Sequence, residues 1–259
     1  METNNKNVEL VNKFVDSYKG FRQEISKVIV GQDNVIDQVL MSIFCDGHSL
    51  LVGVPGLAKT LLVQTISECL GLSFNRIQFT PDLMPSDIIG AEILDNNREF
   101  KFVKGPIFSN IILADEINRT PPKTQAALLE AMQEKSITNS GNNYKLDKPF
   151  FVLATQNPIE QEGTYPLPEA QLDRFMFNII LDYPKYEEEL DIVKRTTSVQ
   201  TPSLNKIMSG EEILLFQKLV RSIPINNNVL EYAVSLVSKT RPSSKNDDSI
   251  VNDYIEWGA

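Results

Sequence analysis

Apolar residues follow two different patterns along the chain. Short, nearly continuous apolar runs have the length of buried strands, and the longer stretches between them carry apolar residues at helical spacing. We predict helices at Asn7–Val30, Asp33–Phe44, Lys59–Leu70 and Pro122–Gln133, and strands at His48–Val52, Phe74–Phe79, Ile111–Asp115, Phe150–Thr155 and Phe175–Ile180. Strands that alternate with helices are typical of a parallel sheet with helices on both faces, so the pattern predicts an α/β fold.

Two segments interrupt this alternation. Ala91–Val103 has the polar residues Asn96–Arg98 between β-prone flanks, and Ser136–Leu146 has Asn139–Asn143 in the same position. Both segments predict exposed β-hairpins inserted into the core. Such hairpins serve either as moving parts and contact surfaces or as plain surface decoration, and the sequence leaves both possibilities open.

The chain becomes helical after Pro184. Periodicity predicts helices at Lys185–Thr197, Gly210–Ser222 and Asn227–Lys239, and Pro202 separates the first from the others. We therefore predict an αβα core with N-terminal helices at residues 1–183, a linking helical region at residues 184–204 and a small all-helical domain at residues 205–259. Because the chain ends just after a large aromatic residue, Trp257, we expect this last domain to be truncated.

The most specific motif follows the first predicted strand. Residues Gly53–Thr60 read G-V-P-G-L-A-K-T and lead directly into an apolar helix. In such a turn the backbone N–H groups and the positive end of the helix face one cavity, where they bind phosphates. A lysine at position 59 reaches the terminal phosphates, and the hydroxyl of Thr60 ligates Mg²⁺. The predicted phosphate-binding residues are Gly53, Val54, Pro55, Gly56, Leu57, Ala58, Lys59, Thr60 and Leu61.

One position departs from the usual pattern, G-x-x-x-x-G-K-[ST]. Ala58 stands where the second glycine is expected. Alanine resists positive φ, so we expect the loop to enter the helix with ordinary dihedral angles at Ala58.

A pair of acids ends the predicted strand Ile111–Asp115. Asp115 and Glu116 would emerge at the carboxyl edge of the sheet, where ligands bind in open α/β folds. Successive side chains of a strand diverge, so the two acids can have different roles. We predict that Asp115 belongs to the Mg²⁺ shell and that Glu116 polarises an attacking water.

Composition limits the class of protein. A chain of 259 residues with 42 % hydrophobic content can build a large core and a smaller appendage. Cys45 and Cys69 lie in apolar helical surroundings, which favours free thiols in a reducing compartment. Apolar runs stay below the roughly 18 residues that a membrane span needs, so we expect a cytoplasmic protein with no membrane span.

The net charge and the single histidine argue against two other roles, general nucleic-acid binding and catalysis by a histidine base. The net charge of −9 argues against general affinity for nucleic acid, because neutralisation of phosphates supplies most of that binding. His48, at the start of a core strand, is interpreted as a hydrogen-bonded structural residue rather than a catalytic base.

Several long motifs together resemble the MoxR family of AAA+ ATPases. The resemblance rests on the phosphate loop Gly53–Thr60, alanine included, and on the segments Thr80–Asp87, Asn118–Glu134 and Gly163–Phe175, and it covers most of residues 25–259. It implies an AAA+ P-loop core, a helix-2 insert and a pre-sensor insert in place of the two hairpins, and a helical lid domain. The family usually continues W-G-A-S-P-R, with a lid arginine beyond the position at which this chain ends.

The resemblance also implies roles for particular residues. Asn157 matches the sensor that orients the attacking water, and Arg174 matches the arginine finger that enters a neighbouring subunit's site. Residues Val28–Gln32 match the segment that packs near adenine, with Val30, Gly31 and Gln32 as the expected binding residues, which makes ATP the expected nucleotide.

From the residues alone, two plainer readings stay open. An asparagine at the end of a strand is often only a turn former. Arg174 could equally be a surface arginine paired with Asp173 or Glu169.

The function expected from all these features is Mg²⁺-dependent ATP hydrolysis at the subunit interfaces of a homo-oligomeric ring, a hexamer when ATP is bound. By resemblance, turnover would drive chaperone-like maturation of client proteins, including von Willebrand A domain proteins. Two other classes remain open: a nucleotide-dependent assembly switch with little turnover, and a DNA-remodelling motor.

Overall fold

A computed structural model describes residues 2–94, 98–160, 163–198, 202–242, 249–256 and 258. The chain divides into two compact units, Met1–Arg221 and Ser222–Ala259. The larger unit holds the elements of the α/β core, and the smaller one holds two helices. No helix within the described ranges is both long and apolar enough to span a membrane.

Helices and strands follow one another in the predicted order. The helices are α1 Glu2–Ile25, α2 Asp33–Phe44, α3 Lys59–Leu70, α4 Pro85–Ile89, α5 Pro122–Glu134, α6 Glu169–Leu172, α7 Tyr186–Thr196, α8 Gly210–Ser222, α9 Asn227–Lys239 and α10 Ser249–Tyr254, with a short 3-10 turn at Ile117–Arg119. The strands are β1 Ser49–Val52, β2 Phe74–Gln78, β3 Gly90–Leu94, β4 Phe100–Lys104, β5 Ile111–Asp115, β6 Ser136–Asn139, β7 Asn142–Lys145, β8 Phe151–Gln156 and β9 Phe177–Ile180.

The core is a five-stranded parallel sheet in the order β2-β5-β8-β1-β9. Register aligns Gln78 with Asp115 and Val52 with Gln156, so the carboxyl ends of four strands meet at one edge. The residues that follow these strands therefore converge at that edge, as expected for a parallel α/β sheet.

Each face of the sheet has its own hydrophobic cluster. Alternate residues of β5 point to opposite faces: Ile111 and Leu113 pack with α1, α2, α3 and α8, whereas Ile112 and Ala114 pack with α5. Strands buried on both faces must be apolar throughout, which explains the continuous apolar runs at β5 and β8.

Helix α1 ends earlier than the sequence predicts. The expected end at Val30 is wrong, because the helix stops at Ile25 and the chain then turns through Gly31 and Gln32, which have φ angles of 66° and 57°. The carbonyl oxygens that a continuing helix would use at residues 26 and 27 accept hydrogen bonds from Arg195 instead. Helices α2, α3, α8 and α9 begin and end at the predicted residues.

Both predicted hairpins are present, β3–β4 and β6–β7. The turn of the second contains Ser140 and Gly141, both with positive φ, as a two-residue hairpin turn requires. Of the turn predicted for the first, Asn96 and Asn97 lie outside the described residues. The two hairpins touch: the rings of Phe102 and Tyr144 stack with their centroids 4.2 Å apart, and Ser140 donates a hydrogen bond to Glu92.

Helix α8 packs into the larger unit. Its Phe216 ring lies 5.0 Å from the ring of Phe14 in α1, and its Ile213 is fully buried. The domain boundaries expected from the sequence, with a core to residue 183 and a lid from residue 205, stay a prediction, because the division into compact units falls later in the chain, at Arg221.

Candidate functional site

A cavity of about 490 Å³ lies at the carboxyl edge of the sheet. Strand β1 leads into the loop that begins at Gly53, and α3 begins at Lys59. The cavity is lined by Pro55, Gly56, Leu57, Ala58, Lys59, Thr60, Leu61, Asp115, Glu116, Thr155 and Asn157. Most of the predicted phosphate loop and both predicted acids therefore surround one space.

Lys59 lies folded onto its own loop. Its Nζ donates hydrogen bonds to the carbonyl oxygens of Gly53, at 2.6 Å, and Val54, at 2.9 Å. Burial lowers the pKa of Lys59, while Asp115 and Glu116 oppose that change by attraction. Gly53 and Val54 thus hold the lysine rather than line the cavity.

The expectation of ordinary dihedral angles at Ala58 is wrong. Ala58 has φ 53° and ψ 25°, the left-handed conformation that the usual glycine would adopt. The chain is fixed on both sides, by the buried side chain of Leu57 and by the hydrogen bond from the Leu62 N–H to the Ala58 carbonyl oxygen. The loop geometry therefore overrides the preference of alanine, at a cost of about 1–2 kcal/mol.

Two further residues beside the loop have the same backbone conformation. Gln32 has φ 57° and Glu116 has φ 58°. Non-glycine residues with positive φ are uncommon, and they concentrate at functional sites where the surrounding fold enforces them.

Side chains from neighbouring strands hold the two acids. Thr155 donates a 2.6 Å hydrogen bond to Oδ1 of Asp115, and Arg76 donates to Oδ2 from Nε at 3.0 Å and from Nη2 at 2.6 Å. Glu116 accepts hydrogen bonds at Oε2 from Gln78, at 2.9 Å, and from Arg119, at 3.2 Å. The backbone N–H of Glu116 also donates to the Thr155 hydroxyl, at 2.8 Å.

Four residues that support the acids were not predicted from their sequence positions: Arg76, Gln78, Arg119 and Thr155. The available signal was weak, because β2 has three polar residues, Asn75, Arg76 and Gln78, and no simple alternation marks two of them. Only the pairing of β2 with β5 shows which acids these side chains meet.

Asn157 and Arg174, the two remaining predicted catalytic residues, lie apart. Asn157 follows β8 on the wall of the cavity, and its Oδ1 accepts a turn hydrogen bond from the Ile159 N–H at 3.2 Å. Arg174 is outside the cavity and donates a 2.8 Å hydrogen bond to the carbonyl oxygen of Leu129. It borders a depression of about 240 Å³ together with Glu130 and Gln133.

A second, smaller cavity of about 200 Å³ adjoins the loop. Its lining is largely apolar and consists of Val28, Ile29, Val30, Gln32, Gly56, Leu57, Ala58, Leu61, Pro184, Ile192, Arg195 and Thr196. Val30 and Gln32 thus lie where a base would be expected, whereas the contributions of α7 were missed. Gly31 leaves room for α7, because a Cβ there would lie 2.7 Å from the carboxyl carbon of Glu188.

His48 is fully hydrogen-bonded within the fold. The Val152 N–H donates to Nδ1 at 3.0 Å, and Nε2 lies 3.2 Å from the carbonyl oxygen of Met132. Burial lowers the pKa of His48 to about 4. These contacts agree with the structural role interpreted from the sequence.

The oxygen ligands present fit Mg²⁺ bound together with phosphates. Thr60 and Asp115 both line the larger cavity and offer hard oxygen ligands. Within the described ranges, no group of three or more histidine, cysteine or acidic residues is placed to hold a metal ion. Magnesium typically takes one or two protein ligands and completes its shell with substrate phosphates and water.

Comparison with known proteins agrees with this geometry. Residues 48–177 match the family described as "ATPase family associated with various cellular activities (AAA)". YeaC, an uncharacterised protein of Bacillus subtilis, is 47 % identical over 221 residues, which make up 85 % of this chain and 69 % of YeaC. Chaperone MoxR1 of Mycobacterium tuberculosis is 45 % identical over 237 residues, or 91 % of this chain and 63 % of MoxR1.

A solved structure has the same fold. The crystal structure of a candidate ATPase from Cytophaga hutchinsonii superposes with a TM-score of 0.89 at 45 % identity, covering 100 % of this chain and 78 % of that one. The chain thus spans less than two thirds of MoxR1 but has its whole length represented in a solved relative. On this evidence the chain belongs to the MoxR family of AAA+ ATPases.

Proposed function

We propose that this chain hydrolyses ATP with Mg²⁺ at the subunit interfaces of a homo-oligomeric ring and that turnover remodels client proteins. One observation carries the proposal: the phosphate loop, both acids and Asn157 surround a single cavity, and a smaller apolar cavity adjoins it. The larger cavity suits a triphosphate and the smaller one suits a purine, for which Val30, Gly31 and Gln32 supply part of the wall.

In this proposal the loop and Lys59 bind the phosphates. The Lys59 ammonium exchanges its two carbonyl partners for phosphate oxygens, which are stronger acceptors because they are charged. Thr60 and Asp115 hold Mg²⁺, which when bound neutralises phosphate charge.

Glu116 acts on the attacking water, and Asn157 orients that water. Gln78 and Arg119 both donate to Oε2 of Glu116, so the carboxylate can act on the water through Oε1 without exchanging either partner. The two hydrogen bonds at Oε2 then orient the carboxylate while Oε1 acts on the water.

Arg174 acts in a neighbouring subunit. Within its own chain the guanidinium donates to the Leu129 carbonyl oxygen and is not part of the wall of the phosphate cavity, as expected of an arginine that acts at a neighbouring site. An arginine that stabilises the transferred phosphoryl group is worth about 10³–10⁵ in rate. The ring, expected to be a hexamer with ATP, is what brings Arg174 to a second site.

Mixing two inactive variants tests this arrangement. Lys59→Ala keeps Arg174 but weakens nucleotide binding, and Arg174→Ala keeps the phosphate site. Each variant alone should release little phosphate, and an equimolar mixture of the full-length proteins should recover a clear fraction of wild-type phosphate release. Wild-type activity of Arg174→Ala on its own would contradict the finger, and no recovery in a mixture of two inactive variants would contradict the shared site.

The hairpins are proposed to contact the client. The β3–β4 hairpin exposes the apolar side chains of Ile93, Leu94, Phe100 and Val103, and Phe100 is 76 % exposed. The relative named Chaperone MoxR1 supports a chaperone-like role, with von Willebrand A domain proteins as candidate clients. A cytoplasmic location is part of the same proposal, because ATP is available there and both described cysteines are free thiols.

One observation favours a second candidate function, a nucleotide-dependent assembly switch with little turnover. Gln78 and Arg119 fix the Glu116 carboxylate at Oε2, so a bound nucleotide would persist if this orientation keeps Oε1 away from the attacking water. Steady-state phosphate release by the assembled ring separates the two candidates, since a switch would release about one phosphate per site and then stop. The net charge of −9 weighs against a DNA-remodelling motor.

A further inference from the structure

Asp115 is held from two sides. Oδ1 accepts from the buried Thr155 hydroxyl, and Oδ2 accepts two N–H groups of Arg76. Only 13 % of the Asp115 side chain is exposed, against 46 % for Arg76. The carboxylate therefore cannot rotate freely, and its remaining lone pairs keep one direction relative to the cavity that Asp115 lines.

Arg76 is itself fixed by the strand that carries it. It lies on the edge strand β2, two residues before Gln78, and Gln78 aligns with Asp115 across the pair β2–β5. Besides its two bonds to Asp115, Arg76 donates from Nη2 to the side-chain oxygen of Gln78. A planar guanidinium with three such contacts has little freedom to turn, which a lysine ammonium in its place would not share.

Arg76 does not line the phosphate cavity, so it meets neither the phosphates nor the attacking water directly. Arg76 can affect the reaction by two routes: directly through Asp115, and through Gln78, which donates to Glu116. Metal binding reports on the first route, because Asp115 is the proposed metal ligand. Partners that hold a metal-ligating carboxylate from behind typically change metal affinity by about 10- to 100-fold when they are removed.

We propose that Arg76 is a positioning residue for metal binding: together with Thr155 it holds Asp115 so that the free lone pairs of the carboxylate face the Mg²⁺ position. This inference rests on the proposed function, because it takes Asp115 as a ligand of the Mg²⁺ shell. Electrostatics alone would predict the opposite result. The positive charge of Arg76 repels the metal, so removing that charge would tighten metal binding. We take orientation as the larger effect, because Arg76 is 46 % exposed and solvent screens its charge, whereas its two N–H contacts fix the carboxylate directly.

Metal binding without turnover gives the direct test. Mn²⁺ substitutes for Mg²⁺ and is followed by electron paramagnetic resonance in the presence of a non-hydrolysable ATP analogue. Arg76→Met should weaken Mn²⁺ binding by about 10- to 100-fold. Arg76→Lys should fall between wild type and Arg76→Met, and the exposed-site control Arg221→Met should equal wild type. Unchanged or tighter Mn²⁺ binding in Arg76→Met would overturn the inference.

Two further measurements distinguish a loss of Asp115 orientation from a general disruption of the nucleotide site. Affinity for the analogue in EDTA should change less than about threefold in Arg76→Met, because the phosphate loop is intact. In turnover, the Mg²⁺ concentration for half-maximal rate should rise while kcat at saturating Mg²⁺ stays within about threefold of wild type. A fall in kcat that excess Mg²⁺ does not restore would count against positioning.

The same measurements distinguish failure of the proposed function from failure of the Arg76 inference. If wild type binds no analogue at all, the proposed function fails; if wild type binds it with metal and Arg76→Met does so equally well, only the present inference fails. Should Arg76→Met lose its fold by circular dichroism, Arg76→Lys, which keeps the charge but not the planar two-N–H contact, carries the test, and its Mn²⁺ affinity should still fall below that of wild type.

Discussion

His48 provides a test of the packing beneath the phosphate site. The folded protein buries this histidine in its neutral form, with Nδ1 accepting from the Val152 N–H, and holds its pKa at about 4 against an ordinary value of 6.5. Between these two values the unfolded chain carries a proton that the folded chain does not. Stability must therefore fall as the pH is lowered through this window, and the group has no further effect below about pH 4.

The size of this effect follows from the difference in pKa. Each pKa unit is worth about 1.4 kcal/mol, so His48 should remove about 3 kcal/mol of unfolding free energy between pH 6.5 and pH 4. The chain has one histidine, so replacing it isolates this contribution from the carboxylates that titrate in the same range. His48→Asn keeps an acceptor for the Val152 N–H but does not titrate there.

Urea unfolding at several pH values measures the effect. The variant should be less stable than wild type near neutral pH by about 1–3 kcal/mol, because the hydrogen bond to Met132 is lost. The gap should then close, or reverse, as the pH falls towards 4. Parallel curves for the two proteins across this range would show that His48 is not buried in its neutral form, and the packing described here would be wrong.

Three further predictions test other parts of the structure. Ala58→Gly should raise the unfolding free energy by up to about 1 kcal/mol in urea titrations, because relief of the left-handed alanine exceeds the added chain entropy of glycine; a loss of stability would contradict the φ angle of 53°. Phe216→Ala should cost about 3–5 kcal/mol, since the ring is fully buried against α1 and α2, and a cost below about 1 kcal/mol in the same assay would place α8 outside the core. Glu116→Gln should keep ATP bound, as measured by calorimetry, yet slow phosphate release by at least about 100-fold; equal release by this variant would remove Glu116 from the chemistry.

Much of the fold was predictable because its strands are buried on both faces. The runs at β5 and β8 contain no polar residue until their carboxyl ends, so their limits and the place of Asp115 follow from hydrophobicity. The end of α1 was not predictable, since the apolar residues after Ile25 continue a helical period but line the smaller cavity. What stops the helix there includes Arg195, which is distant in sequence.

The residues of the site likewise fall into two groups, those that local sequence predicts and those that it does not. The phosphate loop and the acids are local motifs, and a short window of sequence contains all the information needed to find them. Arg76, Gln78 and Thr155 act on those motifs across strand pairs, and register is a property of the assembled sheet. The conformation of Ala58 was mispredicted for a related reason: a single-residue preference worth about 1–2 kcal/mol yields when the chain on both sides is already fixed.

The stacked rings of Phe102 and Tyr144 have a mechanical consequence. They join two hairpins that leave the core at different points, one following α4 and the other following α5. A force on the exposed tip of the β3–β4 hairpin near Phe100 therefore acts on the base of both hairpins, here called the two stems, and not on one alone. One stem is joined through α4 to β2, which carries the Asp115 and Glu116 partners Arg76 and Gln78, and the other is joined through α5 to the turn that carries Glu116.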